Sequence, residues 1–301
     1  MNVAVAAPNP SGARVWLLAA RPATLPAAIV PVLVGTGAAL HGRHEIHEHI
    51  FFPVLFAALL IQIGTNFAND VFDFHRGADV ERLGPTRVTQ SGLVTPRQVL
   101  IATFVTFGLA LLIGVYLVTI GGWPILGIGV VCLLAGLLYT GGPWPFGYHG
   151  LGDLVCFLTF GVLAVIGTAY LQRPLIDALV LWASIPVGCL VTAILVVNNL
   201  RDIDTDRRVG KNTLGVILGR TGTRIEYAMC VAVAYAVVIG LGLTGSIGMW
   251  WWLPLLSVPL GVWLVRYVSR TEGRRLNQAL KRTGQLHLLF GVLFALALWL
   301  G

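Results

Sequence analysis

Residues 177–208, DALVLWASIPVGCLVTAILVVNNLRDIDTDRR, pass from an apolar run over 177–199 straight into amides, carboxylates and arginines. The run has the roughly 20 residues a helix needs to cross the hydrocarbon core of a bilayer. Ionisable groups beside a bilayer are costly and mark function by default, so Asn198, Asn199, Asp202 and Asp206 at its end point to bound chemistry. The same design occurs at a second place, where the run 50–69 leads into Asn66, Asn69, Asp70, Asp73 and Asp79.

The rest of the chain agrees with a membrane setting. Charged residues make up 11% and apolar residues 56%, with a mean hydropathy of +0.83, against roughly 25% and 45–50% in an ordinary soluble domain. Apolar stretches near 15–40, 50–69, 98–120, 122–140, 153–172, 177–199, 225–246, 248–268 and 283–300 predict an all-α membrane protein, a bundle of nine transmembrane helices. Little more than Gly121 and Gly122 separates the third from the fourth, so the range is eight or nine spans, with nine taken for the topology below. The N-terminus lacks the layout of a cleaved signal peptide, so the first span is expected to be retained. Pro22, Pro26 and Pro31 predict a kink or break in that span, because proline removes a backbone donor. Cys132, Cys156, Cys189 and Cys230 lie inside predicted spans with no ligand-like spacing and read as buried thiols.

Basic residues set the orientation. Short cytoplasmic loops keep Lys and Arg, and with nine spans 18 of the 20 fall on the side of the N-terminal tail, leaving Arg43 and Arg173 opposite. The N-terminus is therefore expected in the cytoplasm. The net charge of +7 is accounted for by topology and anionic lipid, so nucleic-acid binding has no support. Asp70 and Asp202 are 132 residues and four spans apart, which returns the chain to the same face. The expectation is one domain over 1–301 built from two pseudo-repeats of about four helices, with motifs at 66–79 and 198–206.

If both helices continue past the membrane surface, Asn66, Asp70 and Asp73 share one face of the first, and Asn198, Asp202 and Asp206 share one face of the second. Two opposed stripes of oxygen ligands suit Mg²⁺, which binds through few carboxylates plus substrate phosphates. Arg82, Arg87, Arg201, Arg207, Arg208 and Lys211 would complete a phosphate site. The competing reading is of solvated helix ends that obey the positive-inside rule; it accounts for the arginines as well as phosphate binding does, and for the aspartates poorly.

With these residues in view, NDVFDFHRGAD (69–79) and NNLRDIDTDRRVGKNTLG (198–215) resemble the two aspartate-rich motifs of the UbiA superfamily of intramembrane prenyltransferases. The resemblance covers essentially the whole chain. Within it, Asp79, GPTR (84–87), QSGLVTP (90–96) and YTGGPWPFGYHGLGD (139–153) look like the 1,4-dihydroxy-2-naphthoate polyprenyltransferases of menaquinone synthesis. The resemblance implies that Asn66, Asp70, Asp73, Asp202 and Asp206 bind Mg²⁺ and the donor diphosphate, the four aspartates being catalytic. Around them Asn69, Asp79, Arg82, Arg87, Tyr139, Tyr148, Asn198, Arg201 and Lys211 are the candidate substrate contacts on the chemistry of their side chains. Two departures stand out: Gly77 occupies the place of a third acid in ubiquinone-type members, and Ala23 follows Arg21-Pro22 where naphthoate enzymes often carry a basic residue.

The reaction so implied is Mg²⁺-dependent transfer of a polyprenyl group to 1,4-dihydroxy-2-naphthoate with loss of CO₂, giving demethylmenaquinone, in the cell membrane with the active site on the cytoplasmic side. Tyr139, Trp144, Phe146 and Tyr148 serve equally well as carbocation-facing rings or as interfacial belt residues. The histidine-rich run 41–50 lacks the order of a zinc protease and falls on the external side. A related activity on 4-hydroxybenzoate, homogentisate, haem or a phosphoribosyl acceptor is the near alternative. An ion transporter is the distant one, although transporters place ionisable groups near the midplane. Sequence sets neither prenyl chain length nor oligomeric state.

Overall fold

The computed structural model describes residues 12–43, 45–78 and 83–301, and every named element in it is helical. Asp79 and Arg82 lie outside the described residues, as does His44 of the histidine run. The chain runs through α1 (Gly12–Ala20), α2 (Pro26–Ala39), α3 (Glu48–His75), α4 (Pro96–Leu138), α5 (Gly152–Cys156), α6 (Ala164–Gln172), α7 (Ala178–Arg208), α8 (Leu214–Leu243), α9 (Val258–Arg270) and α10 (Leu276–Leu300). A π-helical stretch, Phe157–Leu163, joins α5 to α6 as one 21-residue rod.

Helix starts follow from local chemistry. Thr95 and Gln98 form a reciprocal capping box ahead of Pro96, which satisfies amides that have no intrahelical partner. Asp177 and Thr213 accept from Val180 N and Val216 N in the same way. Pro22 and Pro26 flank the expected break, α1 ending at Ala20 and the segment Gly12–Thr24 meeting Pro26–Ala39 at 51°, while Pro31 lies inside an uninterrupted α2.

Among the described residues seven helices are long and apolar enough to cross a membrane, and the bent pair Gly12–Thr24 with Pro26–Ala39 makes an eighth candidate. The 43-residue α4 hides a reversal. Gly122 adopts φ 65°, ψ −154°, open to glycine and disfavoured for other residues. A Cβ built on Gly64 of α3 would sit 2.7 Å from the Phe107 ring, and one on Gly136 would sit 3.5 Å from the same ring. In a straight helix, positions 107 and 136 would be about 43 Å apart. The rod therefore folds back at Gly122 into two antiparallel arms against α3.

The best-buried helix is α7, and its apolar side chains form the main core with residues of α2, α8, α9 and α10. Phe104, Leu112, Trp123, Leu243 and Met249 are exposed, the outward belt expected where the solvent is lipid. The polar ends of α3 and α7 lie at one end of this frame.

Candidate active site

The site is assembled from the last turns of α3 and α7, the loop 83–95, the loop 139–151, the turn after α7 and the break between α1 and α2. These surround a cavity of about 260 Å³. Asn66, Asn69, Asp73, Arg87, Asn198, Asp202, Asp206 and Lys211 line its polar end, while Ala28, Ile61, Ala135, Val155, Phe160 and Leu195 line its apolar depth.

On α3, Asp73 accepts from Arg87 Nη2 at 2.8 Å and from the Tyr148 hydroxyl at 2.9 Å. Tyr148 is buried, and its phenol is pushed far above its usual pKa first by that burial and then by the Asp73 carboxylate, so it keeps its proton and donates. Arg76 and Lys211 stand 5.3 and 5.1 Å from the centre of its ring, two cation–π contacts. Asp70, only 1% exposed, turns away from the cavity and accepts from the backbone N–H groups of Val88 and Thr89 at 3.2 and 3.1 Å. It anchors the loop that delivers Arg87. Asn69 Oδ1 accepts from Thr140, tying α3 to the start of the 139–151 loop.

Asn66 shows what a cation would find. Both hydrogens of its amide are used, toward Ala20 O and Thr24 Oγ1, each at 3.0 Å, so Oδ1 is the atom left for a ligand. Arg21, beside this contact, has φ 52°, a left-handed conformation that costs a non-glycine residue about 1–3 kcal/mol.

On α7, Arg201 is fully buried and spans four oxygens: it forks onto the two of Asp202 at 2.8 and 2.5 Å and reaches Asn198 Oδ1 and Asn277 Oδ1, each at 2.8 Å. Asn277, on α10, donates to Leu83 O, so one arginine joins α7, α10 and the loop over the site. Lys211 Nζ lies 3.9 Å from Asp206 Oδ1. Behind this face Asn199 donates to the buried Asp153 carboxylate at 3.3 Å.

Most of the residues singled out in the sequence thus converge, with four differences. Asp70 is a loop anchor in this conformation rather than part of the wall. Arg201 stands behind the wall, holding Asp202 and Asn198. Arg207 and Arg208 are exposed and do not line the cavity. Of the four aromatic candidates, Tyr139 and Phe146 line the cavity, Tyr148 braces Asp73, and the exposed Trp144 stacks on His149 at 4.4 Å. Thr24, Gln62, Asn277 and Asp153 are polar contributors that sequence spacing did not single out, because none of them belongs to the two acid-rich stripes at the ends of α3 and α7.

The donor set fits a hard divalent cation. Asn66 Oδ1, Asp73, Asp202 and Asp206 offer oxygens around one cavity, and among the described residues no three His, Cys, Asp or Glu side chains form a ready-made cage. Such an open set is how Mg²⁺ is usually bound, with substrate phosphates completing its shell.

Residues 28–290 match the UbiA prenyltransferase family. A 1,4-dihydroxy-2-naphthoate octaprenyltransferase from Mycobacterium tuberculosis is 39% identical over 290 residues, covering 95% of this chain and 97% of that protein. One from Escherichia coli is 39% identical, covering 96% of each. Among solved structures, a UbiA homolog from Archaeoglobus fulgidus bound to DMAPP and Mg²⁺ superimposes with a TM-score of 0.65 at 16% identity, covering 94% of this chain and 98% of that one. The chain belongs to the UbiA prenyltransferase family and is a multi-pass membrane enzyme that transfers prenyl groups.

Proposed function

We propose that this enzyme transfers a polyprenyl group from its diphosphate to 1,4-dihydroxy-2-naphthoate with release of CO₂. The observation that carries the reading is a single cavity with carboxylates and cations at one end and an apolar wall below, together with the shared name of the full-length relatives. At about 260 Å³ the cavity is at the small end of ligand pockets, which run from about 300 to 1,000 Å³. A long isoprenoid tail must therefore leave it for the bilayer, where burial gains about 0.8 kcal/mol per methylene.

Asn66, Asp73, Asp202 and Asp206 would hold Mg²⁺, which when bound neutralises the donor diphosphate and makes it a better leaving group. Arg87 and Lys211 meet the phosphate oxygens at the same end; charged, directional donors suit that task. Arg201 keeps Asp202 and Asn198 in register, and Tyr148 does the same for Asp73. The apolar depth excludes water from the allylic cation, and Tyr139 and Phe146 offer it aromatic faces. The ring carbon bearing the carboxylate attacks C1 of the prenyl group as the allylic C–O bond breaks. The C–COO⁻ bond then breaks, its electron pair restores the aromatic ring, and CO₂ leaves. The product forms as the hydroquinone of demethylmenaquinone, and no base is needed.

The hairpin at Gly122, counted as two crossings, together with the bent first pair and the six other helices, supports nine spans. An odd number places the termini on opposite sides, and the basic loops favour a cytoplasmic N-terminus and site in the cell membrane.

Incubating the purified protein with a polyprenyl diphosphate and equimolar 1,4-dihydroxy-2-naphthoate and 4-hydroxybenzoate tests the reading by mass spectrometry. Mg²⁺-dependent formation of the decarboxylated naphthoate product is expected, and EDTA abolishes it. Preferential prenylation of 4-hydroxybenzoate, or full activity in EDTA, overturns it.

A further inference from the structure

Thr24, in the turn between α1 and α2, is a hydrogen-bonding hub. Its hydroxyl donates to Arg21 O at 2.9 Å, so its single proton is used and its oxygen serves only as an acceptor. It accepts from Asn66 Nδ2 at 3.0 Å and from Gln62 Nε2 at 3.2 Å. This fixes the orientation of both amides, since a flipped amide would set oxygen against oxygen. Asn66 and Gln62 are one turn apart on α3, Gln62 being the deeper. Gln62 lines the cavity and is 6% exposed, yet among the described residues its buried Oε1 has no hydrogen-bond partner. A carbonyl oxygen left unmet in a wall shared with Ala27, Ala28 and Ala58 is costly, and the hub forbids the rotation that would exchange it for the nitrogen.

We propose that Gln62 is the specificity-determining residue that accepts a hydrogen bond from a phenolic hydroxyl of the aromatic acceptor, and that Thr24 is the positioning residue that turns its carbonyl to that task. The assignment rests on the aromatic-acceptor reading above. The geometry suits it: Gln62 sits one turn below Asn66, so an acceptor ring reaching Gln62 lies on the apolar side of the diphosphate, where the prenyl C1 must also be. A hydroxyl hydrogen-bonded to a carbonyl oxygen is more electron-rich, which favours attack by the ring. The same Thr24 sets Asn66 for the donor, so one hydroxyl aligns the walls for both substrates.

Equilibrium binding to the detergent-purified protein separates these roles. The probes are 1,4-dihydroxy-2-naphthoate, its two mono-O-methyl ethers and geranyl diphosphate with Mg²⁺. Wild type is expected to bind one ether at least about tenfold more weakly than the dihydroxy acid, because a site built to bond a hydroxyl rejects the analogue lacking it. Gln62→Leu should lose that discrimination and leave geranyl diphosphate binding within about twofold, while Thr24→Val weakens both ligands and Thr24→Ser restores them. Gln62→Met, close in length and lacking the carbonyl, serves if Gln62→Leu does not fold. Retained discrimination in Gln62→Leu or Gln62→Met overturns the proposal and leaves Oε1 to an ordered water. If wild type binds 4-hydroxybenzoate and not the naphthoate, the naphthoate reading fails by itself. The comparison of 4-hydroxybenzoate with 4-methoxybenzoate then decides Gln62 by the same criterion.

Discussion

Each carboxylate of the site is held by its own basic or phenolic partner, and this decides what a substitution does. Asp73 depends on Arg87 and Tyr148, while Asp202 depends on Arg201. Tyr148→Phe removes one hydrogen bond worth about 0.5–1.5 kcal/mol and keeps the ring near Arg76 and Lys211, so turnover should fall roughly threefold to tenfold in a folded protein. The phenol stays protonated throughout the working range, its pKa being raised, so the alkaline limb of the pH–rate profile should not move. A profile that shifts in Tyr148→Phe would show that the hydroxyl titrates after all. Asp202→Asn leaves the buried Arg201 a neutral partner, and turnover should drop at least about tenfold, or about 1.4 kcal/mol of transition-state stabilisation. The acid clusters were legible in the sequence because several costly groups recur at two helix ends. Thr24, Gln62 and Asn277 were not, since their partners lie 38, 42 and 194 residues away and none of the three belongs to an acid-rich stripe.

At the scale of elements, hydropathy located the spans and the prolines located the break after α1, because both signals are local. The Gly121-Gly122 pair also marked a boundary in the sequence, although an uninterrupted apolar run could not say that the chain reverses there. The π-helical turn at Phe157–Leu163 left no such mark. Within it Gly161 lies against the backbone of Gly188, a close approach that an added Cβ would block. The reversal at Gly122 carries a prediction. A left-handed conformation costs an L-residue about 1–2 kcal/mol, and more for a β-branched one, so Gly122→Val should reduce the yield of monodisperse protein in size-exclusion chromatography. Gly114→Ala, in the same arm with nothing within 4 Å of the added Cβ, should leave the yield unchanged. Equal yields from the two would remove Gly122 as the determinant of the hairpin.

For the whole molecule, the sequence carries an expectation of sidedness and little about shape. Charge asymmetry is additive over loops and needs no tertiary structure, whereas the depth of the cavity depends on how α2, α3, α5 and α7 meet. Under the proposed function the two substrates would need the polar end to face water: a soluble aromatic acid would reach it from there, and a polyprenyl diphosphate would present its headgroup at that end while its tail stayed in lipid. Both demands are met if the acid-lined ends of α3 and α7 face the cytoplasm, with Arg43 on the other side. Arg43 and Arg207 are both exposed and neither lines the cavity, so either position tolerates a reporter. In right-side-out membrane vesicles, Arg43→Cys should react with a membrane-impermeant maleimide at once, and Arg207→Cys only after permeabilisation. The wild-type chain, whose four cysteines are free, supplies the background for subtraction. Labelling of Arg207→Cys from outside would invert the topology and place the diphosphate site on the external face, where the basic residues of four loops would oppose the positive-inside rule.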